Sequence, residues 1–191
     1  MIYETIITTT DADGNPHIAP FGIRERDALV VIAPFRPSAT LDNLLRCRHA
    51  VVNATDDVRI FAGALTGRRD WPVRRAETVD GWVLEAALAH RELELIDVKE
   101  DAVRPELLFR VVYDAVHAPF RGFNRAKAAV LEAAVLVSRL HMLPLEKIES
   151  EVRYLTIAIK KTAGEQELQA WGWLMEKIDN YQAEMRGENQ A

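Results

Sequence analysis

The stretch IAPFRPSATLDNLL, residues 32–45, brings together residue types that could hold an anion where a helix begins. A run of strand-forming residues stops at Pro34, and an apolar helical pattern follows Thr40, which is the predicted N-cap. Free N–H groups and the helix dipole make such a helix start a place where phosphate binds. The side chains that could add hydrogen-bond donors are Arg36, Ser38, Thr40 and Asn43. The alternative is that these side chains only cap the helix and that Arg36 is an ordinary surface arginine.

Two further stretches offer groups that could contact a planar ligand. HIAPFG, residues 17–22, would expose backbone groups at the end of a strand, although a strand leaving a barrel has the same composition. His17 itself is interpreted as a hydrogen-bonded strand histidine rather than a ligand or a base. Asn53 in VVNATDD could bond the edge of a ligand, whereas Asp56 and Asp57 are typical of turns.

A second indication of a bound acidic group comes from FNRAKAAV, in which Asn124 is predicted to cap an apolar helix. Arg125 and Lys127 lie in the first turn of that helix, where cations oppose the helix dipole unless an anion compensates them. The alternative is that one of these side chains extends into solvent and the other pairs with a carboxylate.

The composition and net charge of the chain argue against two classes of partner, nucleic acids and membranes. The chain carries 24 basic and 29 acidic residues, a net charge of −5, which does not favour binding to nucleic acid or to anionic lipid. The most apolar run, from Ala128 to Val137, is too short to span a bilayer, and no signal-peptide pattern opens the chain. We therefore expect a cytoplasmic protein with no nucleic-acid and no membrane partner. The single cysteine, Cys47, is expected to be a half-buried free thiol.

Motifs of familiar catalytic sites do not occur in the sequence. It contains neither GxSxG nor HExxH, and its five histidines are scattered without metal-ligand spacing. No metal and no catalytic residue is therefore predicted, and a reactive group would come from a cofactor.

Local patterns predict an α+β fold whose first part, residues 1–118, is an antiparallel barrel. YETIITTT and HIAPFGIRERDALVVIAPF predict three strands of a meander, with turns at DADGNP and at Arg26–Asp27. ATLDNLLRC predicts a short helix, and HAVVNAT, HRELELIDV and ELLFRVVYDAV predict further strands. The charged face of HRELELIDV is expected to be exposed to solvent. In ELLFRVVYDAV the alternation places Val111 and Tyr113 on one face. Many short strands around one helix indicate a small closed or nearly closed barrel.

Residues 119–191 are predicted to form a three-helix C-terminal segment. NRAKAAVLEAAVLVSRLHML is apolar on nearly every side and must be buried, whereas LEKIESEVRYLTIAIKK and EQELQAWGWLMEKIDNYQAEM are amphipathic. Such a bundle could cover the barrel or join two subunits.

The order HIAPFG, IAPFRPSATLDNL and VVNATDD resembles the FMN-binding split-barrel superfamily of flavin reductases and pyridoxamine-phosphate-oxidase-like proteins. More closely, the chain is similar to a domain family of unknown function, common in archaea and in bacteria with methanopterin-linked one-carbon metabolism. In that family a split barrel precedes a helical C-terminal segment, and GWVLEAALAHRELEL and FNRAKAAVLEAAVLVSRL also look like family segments. The resemblance implies a split barrel, and it specifies no reaction.

The resemblance also implies a cofactor, FMN, bound at the interface of a homodimer. It implies that the FMN phosphate is held by Ser38, Thr40 and Asn43 and neutralised by Arg36. It implies that the isoalloxazine ring is lined by Ala19, Pro20, Phe21, Gly22, Pro34 and Phe35. Asn53 would lie near the ring or the ribityl chain, and Arg125 and Lys127 would approach from the partner. Simple flavin reductases lack the helical segment, so their substrate-binding residues cannot be transferred.

Three functions remain open from the sequence. The first is a flavoprotein oxidoreductase, resembling flavin reductases, that passes electrons or a hydride between FMN and a small substrate, with NAD(P)H as a donor. The second is a non-catalytic flavin- or pterin-binding protein linked to one-carbon cofactor metabolism. The third is a protein–protein module in which the helices bind the partner and the ligand is structural.

Overall fold

The structure, a computed structural model, describes residues 1–188 of the chain. The strands are β1 (Ile2–Thr10), β2 (Pro16–Arg26), β3 (Leu29–Ile32), β4 (His49–Ala54), β5 (Val73–Arg75), β6 (Trp82–Leu84), β7 (Ala89–Lys99) and β8 (Glu106–Val116). The helices are α1 (Ala39–Cys47), α2 (Val58–Leu65), α3 (Arg125–Val137), α4 (Leu145–Thr162) and α5 (Glu165–Glu188), with a 3-10 turn at Leu140–Met142. Two compact units form, one from residues 1–56 and 70–120 and the other from residues 57–69 and those from 121 onward.

Six antiparallel strands of the first unit close into a barrel in the order β1-β2-β3-β8-β7-β4, and β4 pairs back onto β1. Inward side chains such as Ile7, Leu93 and Phe109 fill the barrel. The turn from β2 to β3 has positive φ at Asp27 and Ala28, as tight two-residue hairpin turns require. The predicted antiparallel barrel, with its hairpin at Arg26–Asp27 and its C-terminal helices, is confirmed.

A β-bulge corrects the predicted face of Tyr113. In the ladder between β7 and β8, Glu92 pairs with Tyr113 and Leu93 pairs with Val111, so Val112 is an extra residue on β8. An extra residue reverses the alternation of side chains along a strand. Tyr113 therefore lies on the face opposite to Val111, and the sequence prediction was wrong because alternation does not reveal an inserted residue.

Helix α1 closes the end of the barrel at which β1 ends. Leu41 and Leu44 are buried in the cluster that fills the barrel. Arg46 Nη2 and Cys47 Sγ both donate to the carbonyl oxygen of Thr10. The helix is thus fixed by its apolar face and by its last turn, and Cys47 is the predicted half-buried free thiol.

A two-stranded sheet of β5 and β6, which the sequence patterns did not predict, packs on the outside of the barrel. Val79 and Val83 from this hairpin form a buried cluster with Val51 of β4. The hairpin thereby covers part of a barrel face that the alternation of polar residues had assigned to solvent.

The second unit is a helical cluster of α2, α3, α4 and α5. Its core contains Val130 of α3, Ile148 of α4 and Leu174 of α5. Helix α2 was not predicted, because VRIFAGAL is a short apolar run whose period cannot distinguish strand from helix. Among the helices of residues 1–188, none combines the length and apolarity that crossing a membrane demands.

Candidate functional site

The edge of β2 that faces away from β1 is only partly paired. β2 pairs with β1 from Pro16 to Arg24, whereas β3 pairs with β2 only from Arg24 to Arg26. Within the described chain, residues 16–23 therefore have no strand partner along this edge, and the backbone groups of the alternate residues that point toward it can bind a ligand. The stretch contains the half-exposed residues predicted to line a flavin ring, Ala19, Pro20, Phe21 and Gly22.

Residues 33–38, which we call the proline loop, lead from β3 to α1 and are held by the loop between β7 and β8. Arg104 Nε donates to the carbonyl oxygen of Ala33 at 2.8 Å. The Arg104 guanidinium also lies 4.8 Å from the centroid of the Phe35 ring, which is 59% exposed. Pro34, the residue before Phe35, is buried. The proline loop thus presents one aromatic face on a fixed backbone.

The guanidinium of Arg36 already has protein partners. Its Nη2 atom lies 2.7 Å from Glu100 Oε2, and its Nε atom donates to the carbonyl oxygen of Asp101 at 3.3 Å. N–H groups of Arg104 and Val103 hold the pKa of Asp101 below its usual range, so this carboxylate is ionised and fixes the loop that holds Arg36. The Arg36–Glu100 pair is exposed, and such pairs are worth little, so an approaching dianion can displace Glu100.

Ser38, rather than Thr40, caps α1, which corrects the sequence prediction. The Ser38 hydroxyl accepts from the N–H of Leu41 at 3.3 Å, and its backbone is extended. Thr40 lies inside the first turn, buried, with Oγ1 3.0 Å from Nε2 of His17. The helix begins one residue before Thr40 because Leu41 and Leu44 must both point into the barrel.

The remaining predicted phosphate ligand, Asn43, is buried and points at the barrel. Its Nδ2 atom donates to Oγ1 of Thr9 on β1 at 3.0 Å. Thr9 in turn pairs in register with His17 of β2, so Asn43, Thr9, His17 and Thr40 form one polar cluster. His17 is thus the hydrogen-bonded strand histidine that the sequence predicted. The cluster joins the first turns of α1 to the start of β2.

Asn53 lies apart from this cluster, on the outer barrel face beneath β6. Its side chain is fully buried, and its Nδ2 atom lies within hydrogen-bond distance of the Ile6 carbonyl oxygen and of Thr8 Oγ1, both at 3.2 Å. Its Oδ1 atom accepts from the N–H of Leu84 at 2.9 Å. Thr8 also donates to the carbonyl oxygen of Trp82, so Asn53 and Thr8 together fasten β6 to the barrel.

Sequence patterns missed a His–Glu cluster, formed by His90, Glu92 and His117 on the same outer face. His90 Nε2 lies 3.2 Å from Glu92 Oε1, and His90 Nδ1 lies 2.8 Å from His117 Nε2. The fully buried Glu92 carboxylate also accepts from three backbone N–H groups, those of Glu77, Thr78 and Val79. The charged face of β7, expected to be wet, is therefore covered at Glu92. No local signal could have revealed this, because the covering segment comes from the β5–β6 hairpin.

The hydrogen bonds of the His–Glu cluster indicate the charge states of Glu92 and His117. Burial raises the pKa of Glu92, but the backbone donors and His90 lower it by more, so the carboxylate is ionised. Arg74 Nη2 lies 3.2 Å from His117 Nε2, and since arginine only donates, this nitrogen of His117 accepts. Burial and the charges of His90 and Arg74 lower the pKa of His117, which keeps it neutral. Nδ1 of His90 therefore lies against the accepting nitrogen of His117, and Nε2 of His90 lies against the ionised carboxylate of Glu92.

A separate cavity of about 370 Å³ lies at the barrel mouth, at the end where β1 begins. Its wall is mainly apolar, and an ion pair of 2.7 Å joins Arg91 to Glu25 within it. Because α1 closes the barrel at the other end, this cavity is distinct from the proline loop. Among the residues that the structure describes, no cluster of His, Cys, Asp and Glu could hold a metal ion.

Arg125 and Lys127 belong to the second unit. Asn124 caps α3 as predicted, since its Oδ1 atom accepts from the N–H groups of Ala126 at 2.8 Å and Lys127 at 3.2 Å. Arg125 is exposed and Lys127 is half-buried. Their approach to a flavin from a partner subunit stays a prediction.

Comparison with known families accounts for nearly the whole chain. The N-terminal domain of a protein family of unknown function, DUF447, matches residues 3–118. The second part of the same family matches residues 124–176. The chain belongs to the DUF447 family. A comparison with curated proteins gives no match.

Solved structures similar to this DUF447 chain share its barrel. An FMN-bound DUF447 protein from Methanosarcina mazei, MM1853, matches with a TM-score of 0.80 and 22% identity, over 92% of this chain and 94% of that one. The 2-nitrobenzoate 2-nitroreductase NbaA of Pseudomonas fluorescens matches at 0.51 and 20% identity, over 60% and 64%. The flavin reductase component BorF of a bacterial two-component tryptophan halogenase matches at 0.52 and 18% identity, over 62% and 82%.

Proposed function

We propose that this protein binds FMN in its first unit, with the phosphate at the N-terminus of α1 and the isoalloxazine ring along residues 19–22 of β2. One observation carries the proposal: the unpaired edge of β2 and the first turn of α1 are joined by the 3.0 Å contact between His17 and Thr40. The FMN-bound member of the same family, which matches 92% of this chain, supports FMN as the ligand.

The first turn of α1 suits a phosphate. Helix geometry leaves the N–H groups of Ala39 and Thr40 without intrahelical acceptors, and the dipole favours a negative charge there. A hydroxyl has a proton to donate besides its lone pairs, so Ser38 can cap the helix and still donate to a phosphate oxygen. Arg36 supplies a guanidinium when the phosphate replaces Glu100 as its partner.

The proline loop and β2 suit a flat, mostly apolar ring. Phe35 offers an exposed aromatic ring, and the buried Pro34 before it restricts the backbone of the loop. The unpaired backbone groups of residues 19–22 can bond the polar edge of the ring, although Pro20 has no N–H to give.

Two predicted ligands are assigned to support of the site rather than to contact with FMN. Asn43 holds α1 on β1 through Thr9, so its effect on FMN would come from the position of the helix. Asn53 would have to give up its bonds to Ile6 and Leu84 before it could bond a flavin.

Thr40, by contrast, can still contact the phosphate. When His17 donates to the Thr40 hydroxyl, the hydroxyl proton of Thr40 remains available for a phosphate oxygen.

The reaction that fits best is an oxidoreduction of the flavin-reductase kind, with NADH or NADPH as donor and a small molecule as acceptor. FMN supplies the hydride and electron chemistry when it is bound, and the chain supplies the phosphate site and the wall for the ring. The flavin reductase and nitroreductase that share the barrel favour this reaction. The second candidate is a non-catalytic flavin or pterin binder. The FMN-bound DUF447 protein from Methanosarcina mazei supports binding of FMN, and it does not specify a reaction.

Titration of the purified protein with FMN tests binding. We expect a shift in flavin absorbance and quenching of flavin fluorescence that saturate at micromolar FMN. Riboflavin, which lacks the phosphate, is the matched control and should bind more weakly. Unchanged flavin spectra at micromolar protein would refute the proposal.

Anaerobic mixing of the FMN-loaded protein with NADH or NADPH separates the two candidate functions. Rapid bleaching of the flavin by either donor supports the oxidoreductase. A flavin that stays oxidised with both donors supports the non-catalytic binder.

A further inference from the structure

The barrel-mouth cavity, at the end of the barrel where β1 begins, has the size and lining of a site for a small organic molecule. Its volume of about 370 Å³ lies within the range of roughly 300–1,000 Å³ that such sites occupy. Small and apolar residues form much of its wall: Val52, Ala54, Ala89 and Ala115. Tyr3 and Val116, which are 46% and 77% exposed, add apolar surface that faces solvent. Exposed apolar surface beside a cavity indicates a place where a ligand binds.

The buried part of the cavity wall suits the apolar end of a ligand. Its buried polar residues, Thr5 and His90, are already bonded within the protein. Oγ1 of Thr5 donates to the carbonyl oxygen of Phe21 at 3.0 Å. Both ring nitrogens of His90 lie within hydrogen-bond distance of other side chains, those of His117 and Glu92. Polar recognition of a ligand must therefore come from the exposed part of the wall.

An ion pair crosses the mouth of the barrel. Nη1 of Arg91 lies 2.7 Å from Oε1 of Glu25. Arg91 belongs to β7 and Glu25 to β2, and these two strands are opposite each other in the closed order of six strands. Their side chains therefore meet across the opening rather than between neighbouring strands. Among residues 1–188, Arg91 is the one basic residue that lines the cavity, and Glu25 already neutralises it.

Two further carboxylates give the described cavity wall an excess of negative charge. They belong to Glu4 and Asp114, which are both exposed. Within residues 1–188, neither side chain takes part in a hydrogen bond or an ion pair. Asp114 of β8 pairs in register with Arg91 of β7, so it lies beside the ion pair that crosses the mouth. Three carboxylates against one guanidinium favour a ligand with a positive charge.

We propose that the barrel-mouth cavity binds a small organic cation, an amine or amidine joined to an apolar or aromatic group. The apolar group fills the cavity against Val52, and the cation lies at the mouth beside Asp114 and Glu25. Charged N–H donors form strong hydrogen bonds to carboxylates, and the ring of Tyr3 offers a cation–π contact. The cavity is distinct from the proline loop, so the inference goes beyond the proposed function and does not depend on it.

Benzamidine, a planar apolar ring with one amidinium cation, is the probe, and benzoate is an anion of nearly the same shape. Isothermal titration calorimetry of the full chain should show saturable binding of benzamidine and binding of benzoate that is weaker by about tenfold or more. In a proton–nitrogen correlation NMR spectrum, benzamidine should shift the amide signals of Ala89 and Ala115. The proposal is overturned by equal affinity for the two probes, by no saturable binding at millimolar benzamidine, or by shifts confined to the proline loop and residues 19–22.

Removal of single carboxylates tests the origin of the selectivity. Asp114→Asn should weaken benzamidine by about tenfold, because it removes a charged acceptor at the mouth. Glu25→Gln should also weaken benzamidine, and since it frees Arg91, benzoate should bind more tightly than to the wild type. Asp13→Asn is the matched control, because Asp13 is an exposed carboxylate in the turn between β1 and β2, outside the cavity. It should leave both affinities unchanged.

FMN provides the test that the two sites are separate. Saturating FMN should leave the affinity for benzamidine unchanged, and circular dichroism confirms that each variant is folded. Displacement of benzamidine by FMN would contradict the inference, as would folded Asp114→Asn and Glu25→Gln variants that bind benzamidine like the wild type. A protein that binds benzamidine selectively but does not bind FMN would refute the proposed function and support this inference.

Discussion

His17 Nε2 lies 3.0 Å from Thr40 Oγ1, and this contact joins the start of β2 to the first turn of α1. The two segments that it joins are the ones to which we assign the ring and the phosphate of FMN. The contact therefore sets the distance between the two halves of the proposed site.

Removal of the Thr40 hydroxyl should affect both the fold and the ligand. Thr40→Val keeps the shape of the buried side chain and deletes one partner of His17, so we expect the free energy of unfolding to fall by about 1–3 kcal/mol. FMN affinity should fall with it, because the first turn of α1 is no longer held on β2. Urea denaturation and FMN titration measure the two effects. Thr78→Val changes an exposed side chain and keeps the backbone N–H that donates to Glu92, so it should change neither quantity. An unaffected Thr40→Val protein would mean that the contact does not hold the site.

Arg36 and Glu100 should have opposite effects on FMN. Arg36→Ala removes a charged donor and should weaken FMN by about 1–3 kcal/mol. Glu100→Gln removes the carboxylate that competes for the guanidinium, so the phosphate should bind more tightly. Riboflavin affinity, measured in the same titration, should be unchanged in both variants. If riboflavin and FMN respond alike, Arg36 contacts some part of the flavin other than its phosphate.

The carboxylate of Glu92 should stabilise the first unit in a pH-dependent way. Its pKa is lowered in the folded state, so its contribution is complete above the ordinary value of 4.5 and is lost as the pH falls through the lowered folded-state value. Glu92→Gln replaces the buried carboxylate that accepts from three backbone N–H groups by a neutral amide, and we expect a loss of about 1–3 kcal/mol at pH 7.

Urea denaturation of the wild type and of Glu92→Gln at pH 7 and in acid measures this loss. The gap between the two proteins should narrow as the pH falls below 4.5. Glu94→Gln, a more exposed change on the same strand, should lower the stability by less than about 1 kcal/mol. A gap that is constant with pH would show that the charge of Glu92 is not what holds the hairpin.

Asn53→Ala distinguishes a structural residue from a flavin ligand. The variant leaves the buried N–H of Leu84 without its acceptor, so we expect the free energy of unfolding to fall by about 1–3 kcal/mol. FMN affinity of the folded variant should match that of the wild type. Normal stability with weakened FMN binding would instead support the contact that the sequence suggested.

Local chemistry allowed several features to be predicted from the sequence. Asn124 caps α3 because a side-chain oxygen before an apolar run can accept from the first turn. The hairpin at Asp27 follows from a polar residue between two apolar strands. Features that depend on distant segments were not predictable: Ser38 caps α1 instead of Thr40 because the barrel fixes where Leu41 points.

The burial of Glu92 and Asn53 could not be predicted either, because it also depends on segments that are distant in the sequence. The alternation of charged and apolar residues in β7 predicts that Glu92 faces solvent. Glu92 is instead fully buried, because the segment before β6 folds over it. Asn53 reads as a potential ligand contact, yet its amide bonds β1 and β6. In both cases the partner is a backbone group whose position the local sequence does not specify.

A crystal structure of the protein grown with excess FMN tests the central claim most directly. The account predicts electron density for the phosphate at the first turn of α1, within hydrogen-bond distance of the N–H groups of Ala39 and Thr40 and of the Ser38 hydroxyl. An FMN molecule bound elsewhere, or a first turn left without phosphate at saturating FMN, would contradict it.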